Sequence, residues 1–353
     1  MKQMVRKVIV FALLAVLALQ LTACAAQQET SDTTESTQEA TETTAAEESE
    51  SDSHYPVEVT TYNYAGEEIT LTFTKAPERV VAVYQGCIET MIALGLEDHV
   101  IASYGLDNEV KEEWQSGFEN MKYDDSVFAP DKETVLALEP DMIFSWGSLF
   151  ADDKLGDSSY WIEQGVNPYI NSNTNNSGAD RTLENEYTDI LNLGKIFDVE
   201  DKAQSIVDEM KASIETVTEQ TAGGETQTVA VLEYIGDSLR NYGASSLVGD
   251  MVTQLGGELA ITESTDIGKE DLIAADPDVI FVVYMAYSGD DPAQVKEDTF
   301  NAIAQDSTLS SLAAITNDRV YSVMLGDTYA SAVRTGDGID TIAAGLYPDL
   351  TLE

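Results

Sequence analysis

The chain has 353 residues, is 43% hydrophobic and carries a formal net charge of −46. That length and composition allow a buried core and about two ordinary domains. The charge argues against nucleic acid or anionic lipid as a partner, because both need Lys and Arg to neutralise phosphate, and it leaves a soluble, self-repelling surface.

The first residues bear on compartment. Lys2, Arg6 and Lys7 precede the apolar run VIVFALLAVLALQL, which at 14 residues is short of the roughly 20 needed to span a bilayer. The run ends in LTAC, which resembles a bacterial lipobox. That resemblance implies a signal peptide over residues 1–23, a diacylglycerol on the Cys24 thiol, and a location on the outer face of the cytoplasmic membrane. Acyl chains hold a protein on a bilayer without crossing it. With Cys24 acylated, Cys87 has no disulfide partner and reads as a small buried apolar residue. Residues 24–54 are Ser-, Thr-, Glu- and Ala-rich, without Lys or Arg, and read as a flexible acidic tether.

Next, VEVTTYNY and EEITLTFT alternate in period two around Ala65-Gly66, a hairpin signal. A strand–helix rhythm follows: RVVAVY, IETMIALG stopped by Gly95, HVIASY, ETVLALE, DMIFSW, WIEQG and NPYI. TLENEYTDILNLGKIF and DKAQSIVDEMKASIETVTEQ carry helical periodicity up to Ala222-Gly223-Gly224. The rhythm resumes with TVAVLEY, SSLVGDMVTQLGG, EDLIAAD, DVIFVVY, SSLAAI, RVYSVM and GIDTIAAGLY. Strands alternating with helices imply an α/β fold with mainly parallel sheets. The predicted division is an N-terminal lobe over 55–180, a helical bridge over 181–224 and a C-terminal lobe over 225–353.

Within this rhythm one corner occurs twice, KETVLALEPDMIF from Lys132 and KEDLIAADPDVIF from Lys269, with Glu133 and Glu270 at matching places. Five strands end in aromatic residues: Tyr84, Tyr104, Trp146, Tyr234 and Tyr284. Ligands of open parallel sheets sit beyond the carboxyl ends of the strands, so these rings predict an aromatic pocket for a bulky organic ligand. Walker loops, Gly-x-Ser-x-Gly elbows, His-Glu-x-x-His helices and Cys-x-x-Cys pairs do not occur. His54 and His99 alone cannot make a zinc site. Nothing specific marks an enzyme.

The order PERVVAV, ETMIALG with Glu89, the two corners, DILNLGKIFDVEDKA and RTGDGIDTIAAGLYPDL resembles the substrate-binding lipoproteins of ABC importers for iron–siderophore complexes, haem and cobalamin. The resemblance covers about Ala76 to Leu350. It implies two α/β lobes bridged by a long rigid helix, a ligand between them, a monomeric receptor, and an ABC permease with its ATPase as partner. It further implies that Glu133 and Glu270 each pair with arginines of one permease half. A carboxylate in a first helical turn is also favoured by the helix dipole.

The implied ligand is a metal chelate, most simply an iron–siderophore, with no directly bound metal and no covalent cofactor beyond the lipid. Three of the 18 Lys and Arg lie in the leader, leaving 15. Arg181, Arg240 and Arg334 fall in loops beyond the strands; Arg181 and Arg334 are the charges expected to meet an anionic ligand edge. So few cations suit a neutral or weakly anionic siderophore or a corrinoid better than a strongly anionic chelate, and haem lacks a placed His. An extracellular enzyme or an adhesion lipoprotein on the same lobes stays open as the other class of reading.

Overall fold

The computed structural model describes residues 54–350 except 237 and 288. The leader, Cys24 and the tether up to residue 53 lie outside the described residues. The hairpin forms as predicted: β1 (Val57–Tyr62) pairs antiparallel with β2 (Glu68–Phe73), turning at Gly66 with φ 82°. Alternation sends Val57, Val59, Leu71 and Phe73 into the core.

Strand β3 (Val80–Val83) leads into α1 (Gln85–Ala93), then β4 (Val100–Tyr104), α2 (Gln115–Phe118), α3 (Lys132–Ala137), β5 (Met142–Ser145), α4 (Ser158–Glu163) and β6 (Asn167–Ile170). The four strands make a parallel sheet in the order β4-β3-β5-β6. All residues of β3 and β5 are buried, as continuous apolar strands covered on both faces should be.

The bridge is two helices rather than one. Helix α5 (Leu183–Phe197) stops at Asp198, which is left-handed with φ 58°, and α6 (Glu200–Thr221) restarts two residues later and packs against it. Thr182 caps α5 by accepting from the Asn185 N–H at 3.2 Å.

The second lobe runs β7 (Thr228–Ile235), β8 (Ser238–Asn241), α7 (Leu247–Gln254), β9 (Glu258–Leu259), β10 (Thr265–Ile267), α8 (Lys269–Ala275), β11 (Val279–Tyr284), α9 (Pro292–Ala304), α10 (Ala313–Thr316), β12 (Val320–Met324) and α11 (Thr335–Leu346). Its sheet order is β10-β8-β7-β11-β12, with β9 on β7. β7, β9, β11 and β12 pair in parallel, whereas β8 and β10 are antiparallel, an edge the sequence reading did not foresee. Ser238–Asn241 has only one apolar residue, Leu239, so no apolar run announced it.

The twinned corner has a structural half. In the first lobe Asp141 accepts from the backbone N–H of Glu78 at 2.8 Å and Arg79 at 2.9 Å, just ahead of β3. In the second, Asp278 accepts from the N–H and hydroxyl of Thr228 at 2.9 and 2.7 Å, at the start of β7. Each Pro-Asp thus ties the start of one strand to its neighbour. That role accounts for the repeated Asp and leaves the repeated Glu unexplained.

Candidate functional site

A nearly closed crevice, with about 20 Å³ of free space, lies at the carboxyl ends of β3, β4 and β5 on one side and β11 and β12 on the other. That is room for about one water molecule, against roughly 300–1,000 Å³ for an open ligand pocket. Tyr84 and Trp146 of the first lobe stand with ring centroids 3.5 Å apart, and Tyr329 of the second lobe meets Trp146 at 5.9 Å. Phe128, half exposed, meets Tyr84 edge-on at 5.9 Å. The Arg181 guanidinium lies 3.8 Å from the Tyr329 ring centroid. The rings therefore close the mouth on each other, and a bulky ligand needs Tyr329 to move away from Trp146.

Polar groups in the crevice are few. Tyr84, the residue between β3 and α1, has φ 94°, rare for a bulky side chain and characteristic of functional positions. Its hydroxyl is hydrogen-bonded to the Asp107 carboxyl. Burial, then Asp107, pushes the phenol pKa up; burial also raises the Asp107 pKa, against the Tyr84 bond. Gln85 Oε1 accepts from the Asp107 and Asn108 N–H groups at 3.1 Å each, fixing the loop after β4. Trp146 Nε1 and Asn108 Oδ1 are buried without a hydrogen-bond partner among the described residues. A buried donor and acceptor left this way are costly unless a ligand or water meets them.

Beneath the crevice lies a buried charge network. Arg334 is 5% exposed; its Nε and Nη2 donate to Glu89 at 2.5 and 2.7 Å, and Nη2 also donates to the Glu109 carbonyl at 2.9 Å. Asp327 stands 3.5 Å from Arg334 Nη1. Burial pushes the Asp327 pKa up to about 7, with Arg334 opposing, and burial raises Glu89 likewise against its bonds to Arg334. Gln85 Nε2 donates to Glu89 at 2.7 Å, so the network continues to the residue that fixes the Asp107 loop. A second link joins Glu186 of α5 to the Ala332 N–H at 2.6 Å, and burial lifts the Glu186 pKa to about 7.

The structure brings together Tyr84, Trp146 and Arg181 and separates the other expected ligand residues. Tyr104 is 4% exposed and packs in the first-lobe core among Val81, Ile143 and Leu149. As the last residue inside β4 it keeps the strand's pleat, which turns its ring away from the cleft. Tyr234 and Tyr284 also lie within strands, β7 and β11, and line a neighbouring groove with Glu233 and Tyr287. Arg334 is not available to a ligand, because its donors are engaged with Glu89 and Glu109. A lone Glu inside the apolar stretch IETMIALG was the signal that a buried cation must answer it. Arg240 pairs at the surface with Asp266 at 3.2 Å. Tyr329 and Asn108 were missed as loop residues beyond the strand ends, and Gln85 as the first residue of α1. Cys87 is a free thiol, 1% exposed, with its pKa pushed well up by burial, as the apolar reading expected.

Glu133 and Glu270 are both exposed in first helical turns, Glu133 after the cap that Asp131 makes to the Thr134 N–H at 2.8 Å, Glu270 beside the bond from the Gly268 N–H to Asp271 at 2.8 Å. Among the described residues no helix is long and apolar enough to cross a membrane.

A family model of periplasmic binding proteins matches residues 80–324. The chain belongs to this periplasmic binding protein family. A periplasmic binding protein from Veillonella parvula DSM 2008, of known crystal structure, is 31% identical, with a TM-score of 0.77 over 83% of this chain and 92% of that one. The uncharacterized ABC transporter substrate-binding lipoprotein YvrC of Bacillus subtilis (strain 168) is 23% identical over 79% of this chain and 83% of its own. A crystal structure of an ABC-type Fe3+-hydroxamate transport system from Saccharomonospora viridis DSM 43017 shares the fold, with a TM-score of 0.64 at 21% identity over 83% and 99% of the two chains. The family fits the two-lobed α/β architecture, and its members are binding proteins rather than enzymes.

Proposed function

We propose that this periplasmic binding protein captures a metal chelate, most simply a ferric siderophore, between its lobes and delivers it to an ABC permease with its ATPase. The observation that carries the ligand class is the ring-walled crevice of Tyr84, Trp146 and Tyr329, with Trp146 Nε1 and Asn108 Oδ1 unpartnered inside it. Such a site offers flat apolar contact and two directed hydrogen bonds. Its charges are sparse, Asp107 within and Arg181 at the rim. That balance suits a neutral or weakly charged chelate, and a corrinoid presents a similar surface. The Fe3+-hydroxamate system among the structural neighbours and the ABC lipoprotein among the relatives are consistent with this reading.

Glu133 and Glu270 dock one permease half each, and Cys24 carries the lipid that keeps the receptor on the extracytoplasmic face. The test is equilibrium dialysis of the purified protein against ferric siderophores, cobalamin and haem, with the recovered compound analysed for alteration. Recovery of one chelate unaltered at one equivalent supports the proposal. A bound compound returned cleaved or modified would point to an enzyme, and binding of none of them to another ligand class.

A further inference from the structure

We infer that His54, Asp198 and Glu200 form a site for one divalent transition-metal ion, of zinc-like chemistry, which ties the segment ahead of β1 to the corner between α5 and α6. It is independent of the cleft. His54 Nε2 lies 2.7 Å from the Lys195 carbonyl oxygen. A carbonyl can only accept, so Nε2 carries the proton and Nδ1 is the atom left to serve the other side. There Nδ1 faces Asp198 Oδ1 and Glu200 Oε1, each at 3.4 Å. Fixing one ring nitrogen on a backbone carbonyl while the other meets a metal is the usual arrangement of a ligating histidine.

The distances discriminate between the two ways of satisfying this group. A protonated imidazole donating to carboxylate would sit at about 2.7–2.9 Å, and 3.4 Å to both acids is too long for that. Ligands bound at about 2.0–2.1 Å on a tetrahedron stand roughly 3.3–3.4 Å apart, which is the spacing seen. One imidazole with two carboxylates suits zinc-like ions better than calcium or magnesium, which prefer oxygen alone.

The surroundings supply the charge. Among the described residues the ion pairs of Asp198 and Glu200 are with His54 only. The nearby Lys195 Nζ turns away to donate to the Glu58 carbonyl at 2.8 Å. Asp198 is held in place by the left-handed turn that ends α5, and Glu200 by the first turn of α6, so both carboxylates stand on fixed backbone. His54 is about one-fifth exposed, Glu200 about half and Asp198 more than half, leaving room for water as the remaining ligand. Reading the two histidines alone had set a zinc site aside; the fold adds carboxylates from the corner between α5 and α6.

The experiment is titration of the full protein with Co2+, followed by visible absorption and then displacement with Zn2+. One equivalent should give the intense bands of four- or five-coordinate cobalt, erased by Zn2+. His54→Ala should abolish them, Glu200→Gln should weaken binding at least tenfold, and His99→Ala should leave them unchanged. Asp198→Asn, which tolerates the left-handed turn, should also weaken them, and Zn2+ should raise Tm in the parent but not in His54→Ala. Bands that persist in His54→Ala, or only the faint spectrum of aqueous cobalt at millimolar metal, would overturn the site.

Discussion

Arg334 donates through Nε and Nη2 to both carboxylate oxygens of Glu89, joining the loop after β12 to α1 across the two lobes. Neither side chain sees much water: 6% and 0% of their surfaces are exposed. Arg334→Met should leave Glu89 buried without its cation and cost about 3–5 kcal/mol in urea denaturation. Pairing it with Glu89→Met should cost clearly less than the two single changes added together, because removing both charges removes the unpaired one. Equal and additive losses would show that the pair contributes only packing.

The raised Asp327 pKa gives stability a direction with pH. The carboxyl titrates at about 7 when folded, against 3.8 as the ordinary value. Between those values the folded chain holds more protons than the unfolded one, so stability falls as pH rises through that window. Asp327→Asn should flatten part of this slope, by on the order of 1–3 kcal/mol between pH 5 and 8. Thermal unfolding of both proteins across the range checks it; identical slopes would contradict it.

How far the sequence announced this architecture depends on how side chains leave a strand. Alternation and apolar runs identified β1 to β7, β11, β12 and the helices other than α2 and α9, because burial on one or both faces writes itself into period. β8, β9 and β10 have no such pattern, and α9 was passed over although Asp291-Pro292 marks its start. The aromatic residues divide on one point. Tyr84 and Trp146 stand one residue past the ends of β3 and β5, where the backbone is free to turn, and they reach the crevice. Tyr104, Tyr234 and Tyr284 are still within strands and keep the pleat. Tyr329 sits five residues past β12, beyond the reach of a strand-end rule. The role of Arg334 turned on Glu89, which is 245 positions away and visible only once the lobes meet.

Docking through the twinned corner has its own signature. Glu133→Ala and Glu270→Ala should each leave ligand affinity and Tm nearly unchanged, since exposed first-turn carboxylates contribute only tenths of a kcal/mol. Uptake should fall with either and further with both, and high salt should blunt the difference. A proteoliposome transport assay beside a binding titration decides this, and normal uptake by the double variant would reduce the repeat to two well-started helices.

Anchoring is tested at Cys24. Cys24→Ala should appear in the medium or as an uncleaved precursor, read by fractionation and intact mass. A variant that is processed normally and stays on the membrane would refute the lipid assignment.

The central claim, that a chelate binds at the Tyr84–Trp146–Tyr329 crevice, is tested most directly by tryptophan-fluorescence titration. The parent, Trp146→Ala, Tyr329→Ala and Tyr104→Phe are compared with the chelate recovered by dialysis, with Trp114 and Trp161 as the remaining reporters in Trp146→Ala. Loss of a large aromatic contact is worth roughly 1–3 kcal/mol, so Trp146→Ala and Tyr329→Ala should each weaken binding about tenfold or more. Tyr104→Phe, altered only in the core, should bind like the parent. Parent-like affinity in both Trp146→Ala and Tyr329→Ala would contradict the account and move the ligand away from this crevice.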